Sequence, residues 1–305
     1  MNHPVTISVA NDRQSDELTR LIQWFGQKQV VVAFSGGVDS SVVLAAALRS
    51  EAKSVVAMTA ISPSVADWQI QMAKKVAQQL GADHRIVQTG EVDLPQYRAN
   101  NQDRCFHCKS TLYSTLQESL GDEQTLKKMY SGVADSPLSS NFQIVSGTNA
   151  DDLGDFRPGI AAGDTAGVQK PLAELGLGKK AVRLLATELG LSNADLPASP
   201  CLASRIAYGV EVTVERLKMV EAAEGLLREL GLGTCRVRLH EGELGRIEVP
   251  SEAVSTLCND PTRDSITKRF RALGFRFITL DLDGFRSGSM NQSLVSIETP
   301  EPKIK

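Results

Sequence analysis

Apolar positions along the chain switch between two spacings, and the switches predict its elements. Leu18, Leu21, Ile22, Trp24 and Phe25 recur at helical spacing behind Ser15 or Asp16 as cap. Val30 to Phe34 is a continuous apolar, β-branched run, the mark of a buried strand, and Val42 to Leu48 is again helical. Ser54 to Ala60 reads as a second strand. Ala66 to Leu80 reads as an amphipathic helix through Trp68, Ile70, Met72, Val76 and Leu80, closed by Gly81. His84 to Gln88 is a third strand, Cys105 to Leu120 a helix, and Phe142 to Val145 a fourth strand. Strand alternating with helix predicts an α/β fold with a doubly wound parallel sheet. Such sheets bind ligands at the carboxyl ends of their strands.

The pattern changes further along. Gly154 to Gly167 reads as a glycine-containing loop, Lys179 to Leu189 as a helix, and Leu191 to Pro200 as a loop with two prolines. After Tyr208-Gly209 comes a helix capped by Thr213 and running to Leu230. Strands at Cys235 to His240 and Leu244 to Val249, helices near Ser251 to Leu257 and Pro261 to Leu273, and a strand at Phe275 to Leu280 complete a small α+β unit. The expected organisation is one domain over 1–205, a second over 206–291, and a disordered tail over 292–305, with a loose arm up to Asn11.

Composition narrows the function classes. At 305 residues both domains can hold a sizeable core. A net charge of −3, from 33 basic and 36 acidic residues, argues against a nucleic-acid partner. No apolar run is long enough to span a membrane, and the polar N-terminus has no signal-peptide core, so a cytoplasmic location is expected. Five cysteines, an odd number, argue against a disulfide framework. Cys235 and Cys258 lie in apolar surroundings and read as core, whereas Cys105, Cys108 and Cys201 lie among polar or turn residues.

The candidate chemistry begins at Phe34-Ser-Gly-Gly-Val-Asp-Ser-Ser41, between the first strand and the next helix. Gly36 and Gly37 allow a tight turn, the helix start offers free N–H groups and a positive dipole end, and Ser35, Ser40 and Ser41 add hydroxyls. The stretch is neither a Walker A loop nor the dinucleotide fingerprint. Ser-Gly-Gly-x-Asp-Ser resembles the pyrophosphate (PP) loop of the ATP pyrophosphatases, which cleave ATP to AMP and pyrophosphate. Asp151 and Asp152 end the fourth strand's turn and read either as Mg²⁺ ligands or as a helix cap or Asx turn.

Cys105 and Cys108 form a Cys-x-x-Cys near a helix start, where the dipole and neighbouring cations favour thiolate. Its readings are half of a metal site, a redox pair, or chance. His107 could complete a zinc site, and Cys201 could complete a three-thiolate 4Fe-4S site with one open iron. Arg236 and Arg238 share one strand face, suited to a phosphate or to simple solvation, alongside His240 and Arg246. Glu224 and Glu248 carry no signal of their own.

Six stretches together resemble one PP-loop family, the LarE-type ATP-dependent sulfur transferases of nickel-pincer nucleotide (lactate racemase cofactor) biosynthesis. They are 34–41, 104–109, 147–159, 200–205 with Tyr208-Gly209, 236–238 and 284–291, in the family's order. The resemblance implies an adenine nucleotide alpha-hydrolase-like PP-loop domain and a smaller C-terminal α+β domain. It implies an enzyme that uses ATP and Mg²⁺ to adenylate a carboxylate of a pyridinium dicarboxylate mononucleotide, releasing pyrophosphate. Sulfur then displaces AMP to leave a thiocarboxylate. Ser35, Gly36, Gly37, Asp39, Ser40, Ser41, Gly147 and Asp151 would hold ATP, and Asp152 the Mg²⁺. Arg205, Arg236 and Arg238 would hold the substrate phosphate, with Asp39 and Cys201 catalytic. The sulfur would come either from Cys201 itself or from a sulfide on a 4Fe-4S cluster bound by Cys105, Cys108 and Cys201. A sulfide donor and a homo-oligomer are the partners implied. The competing expectations are another PP-loop activity (an NAD synthetase, a GMP-synthase-like amination or a tRNA thiolation) and a non-catalytic nucleotide or metal sensor.

Overall fold

The computed structural model describes residues 15–121, 142–154 and 158–286. The expected arm up to Asn11 and tail from 292 lie outside the described residues, as do 155–157 and 287–291 of the motif stretches. By contacts the chain divides into two compact units. The first takes 1–60, 69–87 and 113–198, and the second takes 61–68, 88–112 and 199–305. The second unit thus includes two segments that precede the boundary drawn from the sequence.

In chain order the first part holds α1 (Asp16–Phe25), β1 (Gln29–Ala33), α2 (Val38–Leu48), β2 (Ser54–Ile61), α3 (Asp67–Gln79), β3 (Asp83–Gln88), α4 (Pro95–Arg98), α5 (Arg104–Gly121) and β4 (Phe142–Val145). After these come α6 (Pro158–Thr165), α7 (Pro171–Glu174) and α8 (Lys179–Glu188). The sheet runs β3-β2-β1-β4, with β1 parallel to both β2 and β4. This is the expected α/β architecture. Val30, Val31 and Val32 are wholly buried, which is why β1 is apolar on both faces. In α2, Val42 through Ala47 are buried as well, so its small residues let the helix lie close against neighbours. Ser15 caps α1 by accepting the Leu18 N–H at 3.3 Å. The loop expected over Gly154 to Gly167 is corrected: α6 occupies most of it, with Ala162 and Gly163 buried. Gly163 lies against Tyr113 of α5, so its missing side chain makes room for a ring.

The remainder holds α9 (Val214–Glu229), β5 (Arg236–His240), β6 (Leu244–Glu248), α10 (Val254–Cys258), α11 (Asp260–Leu273) and β7 (Phe277–Leu280). β6 is the centre of a three-stranded sheet, antiparallel to β5 and parallel to β7. Thr213 caps α9, accepting the Arg216 N–H at 3.3 Å. Phe275 precedes β7 and is a core residue, its ring 5.1 Å from that of Phe270. Cys235 is buried as expected, but Cys258 is exposed at the end of its short helix.

Candidate active site

The first unit carries the glycine turn. Phe34 N–H donates to the Met58 carbonyl at 2.9 Å, and β1 then ends. Gly36 takes φ +71°, and a Cβ there would stand 2.6 Å from the Ala73 Cα, so only glycine fits. Gly147, in the turn after β4, has the same property: its Cβ would meet the Ser40 nitrogen at 2.6 Å. The two turns at the ends of β1 and β4 therefore touch backbone to backbone.

The serines divide their roles. Ser40 and Ser41 are buried, and their hydroxyls donate to the Gly37 carbonyl at 3.0 and 2.9 Å. Asn193 Nδ2 donates to the Gly36 carbonyl at 2.8 Å and to Ser41 Oγ at 2.9 Å. These contacts shape the turn. Ser35 alone of the three is exposed, its Oγ accepting the Gly37 N–H at 3.3 Å. Gly37 caps α2 with no side-chain acceptor, so the first N–H groups of that helix stay open to an anion.

Beside this turn the carboxylates are organised by Asn149, which is wholly buried and carried no sequence signal beyond its place in the Gly147 to Asp152 turn. Its Nδ2 donates to Asp39 Oδ2 at 3.4 Å, its own N–H donates to Asp152 Oδ2 at 3.2 Å, and its Oδ1 accepts the Asp151 N–H at 3.0 Å. Burial, and secondly the Asp152 charge, push the Asp39 carboxyl above its ordinary range, against the Asn149 hydrogen bond. Asp151 accepts the Lys179 N–H at 2.7 Å, so its carboxylate satisfies the first N–H of α8, whose own cap position is Gly178. Lys179 Nζ lies 3.7 Å from Asp152.

Among the described residues no set of three or more His, Cys, Asp or Glu side chains is gathered to hold a metal. Mg²⁺ takes one or two carboxylates and completes its shell with phosphate and water, so the Asp39 and Asp152 pair suits it without a third ligand.

The thiols all fall in the second unit. Cys105 is exposed at the start of α5, while Cys108 and Cys201 are half-buried against that unit's core. Burial, then the neighbouring Cys201 and Glu91, push the Cys108 thiol up to about 12. At Cys108 this runs against the expectation of an activated thiolate at the helix start: desolvation outweighs the neighbouring cation Lys109. Glu91 is buried and accepts from the hydroxyls of Ser62 and Ser64. The Ser64 carbonyl in turn accepts the Leu202 N–H at 2.8 Å, fixing the residue after Cys201. His107 pairs with Asp103 at 3.3 Å along the helix. A metal bound at these sulfurs as they stand would be held by fewer than three described side chains. The donor chemistry nevertheless suits a thiolate-bound cluster, because three sulfur donors fall in this one unit and Arg104 donates to Cys105 Sγ at 3.9 Å.

The arginines are not on a solvated face. Arg236 and Arg238 are both buried. Arg238 Nη2 donates to Glu248 at 2.9 Å and its Nη1 to the Ser204 carbonyl at 3.3 Å. Arg236 Nη1 donates to the Cys235 carbonyl at 2.7 Å. Burial, then the charge of Arg205, lowers the Arg236 guanidinium to about 10, the sign of crowded positive charge. Glu224 and Glu248, silent in the sequence, are the buried anions of this cluster. Arg205, expected at the substrate phosphate, is wholly buried and bound to Glu224, to the Pro200 and Cys201 carbonyls and to Ser204 Oγ.

A family model described as asparagine synthase matches residues 22–105. The chain is 34% identical over 272 residues, 89% of its length and 92% of the relative's, to the pyridinium-3,5-bisthiocarboxylic acid mononucleotide synthase of Lactiplantibacillus plantarum. It is 40% identical over 279 residues to an uncharacterised protein of Synechocystis, covering 91% of this chain and 98% of that one. An uncharacterised Methanocaldococcus jannaschii protein is 28% identical over 264 residues, 86% of this chain and 93% of its own.

Proposed function

The chain belongs to the PP-loop ATP-dependent sulfurtransferase family of the pyridinium-3,5-bisthiocarboxylic acid mononucleotide synthase, and on that premise we propose that it makes a thiocarboxylate on a pyridinium dicarboxylate mononucleotide in nickel-pincer biosynthesis. The observation that carries this reading is the pairing, in one chain, of an anion-ready glycine turn with a three-thiol set beside buried arginines.

In this reading the Ser35 to Ser41 turn and the open end of α2 bind the phosphates of ATP. Gly147 and Asp151 form the adjoining wall, and Asp39 and Asp152 would hold Mg²⁺, which would offset the negative charge of the phosphates. The substrate carboxylate attacks the α-phosphorus and pyrophosphate leaves. The resulting acyl adenylate has a phosphate leaving group, which a free carboxylate lacks. Sulfur attacks that carbonyl carbon and AMP departs. Arg236 and Arg238 hold the substrate's phosphate, while Arg205 holds the turn that carries Cys201.

In this reading the sulfur comes from a group bound at Cys105, Cys108 and Cys201. A 4Fe-4S cluster there would supply a transferable sulfide. The single-cysteine route, in which Cys201 gives up its own sulfur, is the second reading, favoured by the exposed position of Cys105 and by there being no gathered set of three ligands among the described residues.

The test is to supply the protein with ATP, Mg²⁺ and the dicarboxylate mononucleotide, under anaerobic conditions with sulfide. Pyrophosphate release should depend on the mononucleotide, and product mass should show oxygen replaced by sulfur. Pyrophosphate release with ammonia or a tRNA as acceptor, and none with the mononucleotide, would move the protein to the amination or tRNA-thiolation branch. No turnover with any acceptor would leave the sensor reading.

A further inference from the structure

Arg104 differs from the buried Arg205 and Arg238 of its unit, each of which has a carboxylate partner. Arg205 has Glu224 at 2.9 Å and Arg238 has Glu248 at 2.9 Å. Arg104 is only 4% exposed, yet among the described residues no Asp or Glu forms an ion pair with it. A buried guanidinium left unbalanced is costly, and buried charges are ordinarily paired.

What Arg104 does touch is specific. Its Nη2 donates to Cys105 Sγ at 3.9 Å, and its Nη1 donates to the Ala203 carbonyl at 2.8 Å and to Asn100 Oδ1. Ala203 lies in the turn that Cys201 opens. One guanidinium therefore bridges the two segments that carry the cysteines. Asn100 strengthens the same tie. It is wholly buried, sits at φ +55°, and its Nδ2 donates to the carbonyls of Ile206, Ala207 and Val210 at 3.3, 2.7 and 2.8 Å. An Asn in the left-handed region is tolerated where its side chain gains such contacts.

We propose that Arg104 is the positioning residue and built-in counter-cation of one anionic group held jointly by Cys105, Cys108 and Cys201. This rests on the reading that the three thiols act together. It goes beyond that reading by saying what brings them into register and what balances their charge. The planar fork reaches a sulfur and a carbonyl at once. A lysine in its place would keep the charge but not the bridge. The bland alternative is that Arg104 merely packs the start of α5 onto the Cys201 turn.

Full-length Arg104→Gln and Arg104→Lys separate the two. Three readouts are needed: the thermal midpoint, the yield of Cys105–Cys201 cross-link in metal-free protein treated with dibromobimane, and the rate at which a chelator removes iron after anaerobic loading with ferrous iron and sulfide. For Arg104→Gln the expected result is a folded protein with cross-link yield down about tenfold and iron lost about tenfold faster, the scale of a lost hydrogen bond to a charged group. Arg104→Lys should lose the cross-link equally but hold iron at an intermediate rate. Unchanged cross-linking and iron retention in both variants would overturn the proposal, as would failure of both to fold, which would assign Arg104 to the core alone. If the parent takes up no iron, the cluster reading fails, and the cross-link then decides the positioning role by itself.

Discussion

Arg205 and Glu224 form a wholly buried ion pair, Nε to Oε1 at 2.9 Å, with each side chain 2% exposed. Glu224 Oε1 also accepts the Val237 N–H at 3.3 Å, so a single carboxylate joins the Cys201 turn to strand β5. Removing one partner leaves the other charged and dry. Arg205→Met or Glu224→Leu should each destabilise the protein by about 3–5 kcal/mol, and the double variant carrying both should recover part of that loss. Urea titrations of the four proteins measure the cycle. Additive losses would mean that the pair is not coupled.

Gly147→Ala places a methyl group 2.6 Å from the Ser40 nitrogen. The turn after β4 must then move off the glycine turn after β1. A loss of about 1–3 kcal/mol in stability is expected from overpacking of this kind. ATP affinity should fall in parallel, because the same displacement disturbs the start of α2. Calorimetric titration with ATP, compared with a Gly225→Ala control inside α9 whose Cβ would meet nothing closer than 3.7 Å, checks this.

Asp39 gives a pH dependence with a definite sign. Its folded carboxyl titrates above its unfolded value, chiefly through burial and then through Asp152. The native state therefore holds the proton more tightly than the unfolded chain does. The stabilisation is complete below the unfolded carboxylate value and is lost as pH rises through the raised folded one. In metal-free protein Asp39→Asn should remove that decline, so the variant gains stability relative to the parent near neutral pH. Mg²⁺ with ATP should stabilise the parent and not the variant. Thermal midpoints from acid to neutral pH, with and without Mg-ATP, follow both effects. A parent-minus-variant midpoint difference that rises with pH across the window where Asp39 ionises would contradict this sign.

The thiols make opposite predictions for the two sulfur routes. On the cluster route, Cys105→Ala, Cys108→Ala and Cys201→Ala each abolish the visible thiolate-to-iron absorption of anaerobically loaded protein. The protein mass is then unchanged by turnover. On the single-cysteine route, turnover removes one sulfur from the Cys201 peptide, and Cys105→Ala remains active. Mass spectrometry of the protein before and after one turnover decides between them.

Local pattern was enough for much of the architecture. The valines of β1, the helical runs and the Thr213 cap are properties of short segments, and each of these elements appears in the structure. The glycine turn was equally readable, since Gly36 and Gly147 are required by backbone geometry. The helix over Pro158–Thr165 was missed because its glycines and alanines carry little apolar periodicity, and packing against Tyr113 stabilises what propensity does not.

What the sequence by itself determined, then, is the order of strands and helices, the anion-ready turn, and the presence of three cysteines in polar company. These depend on residues close together in the chain. Only the tertiary structure decided which charges are buried and paired. Alternation along β5 placed Arg236 and Arg238 on one face but not whether that face met water, and both are buried. Glu224, Glu248, Asn149 and Arg104 act through partners distant in the chain: Arg104 and Ala203 are 99 residues apart, and Asn149 and Asp39 are 110 apart. The cost of burying a charge or an amide depends on what folding brings beside it, and no local spacing carries that information.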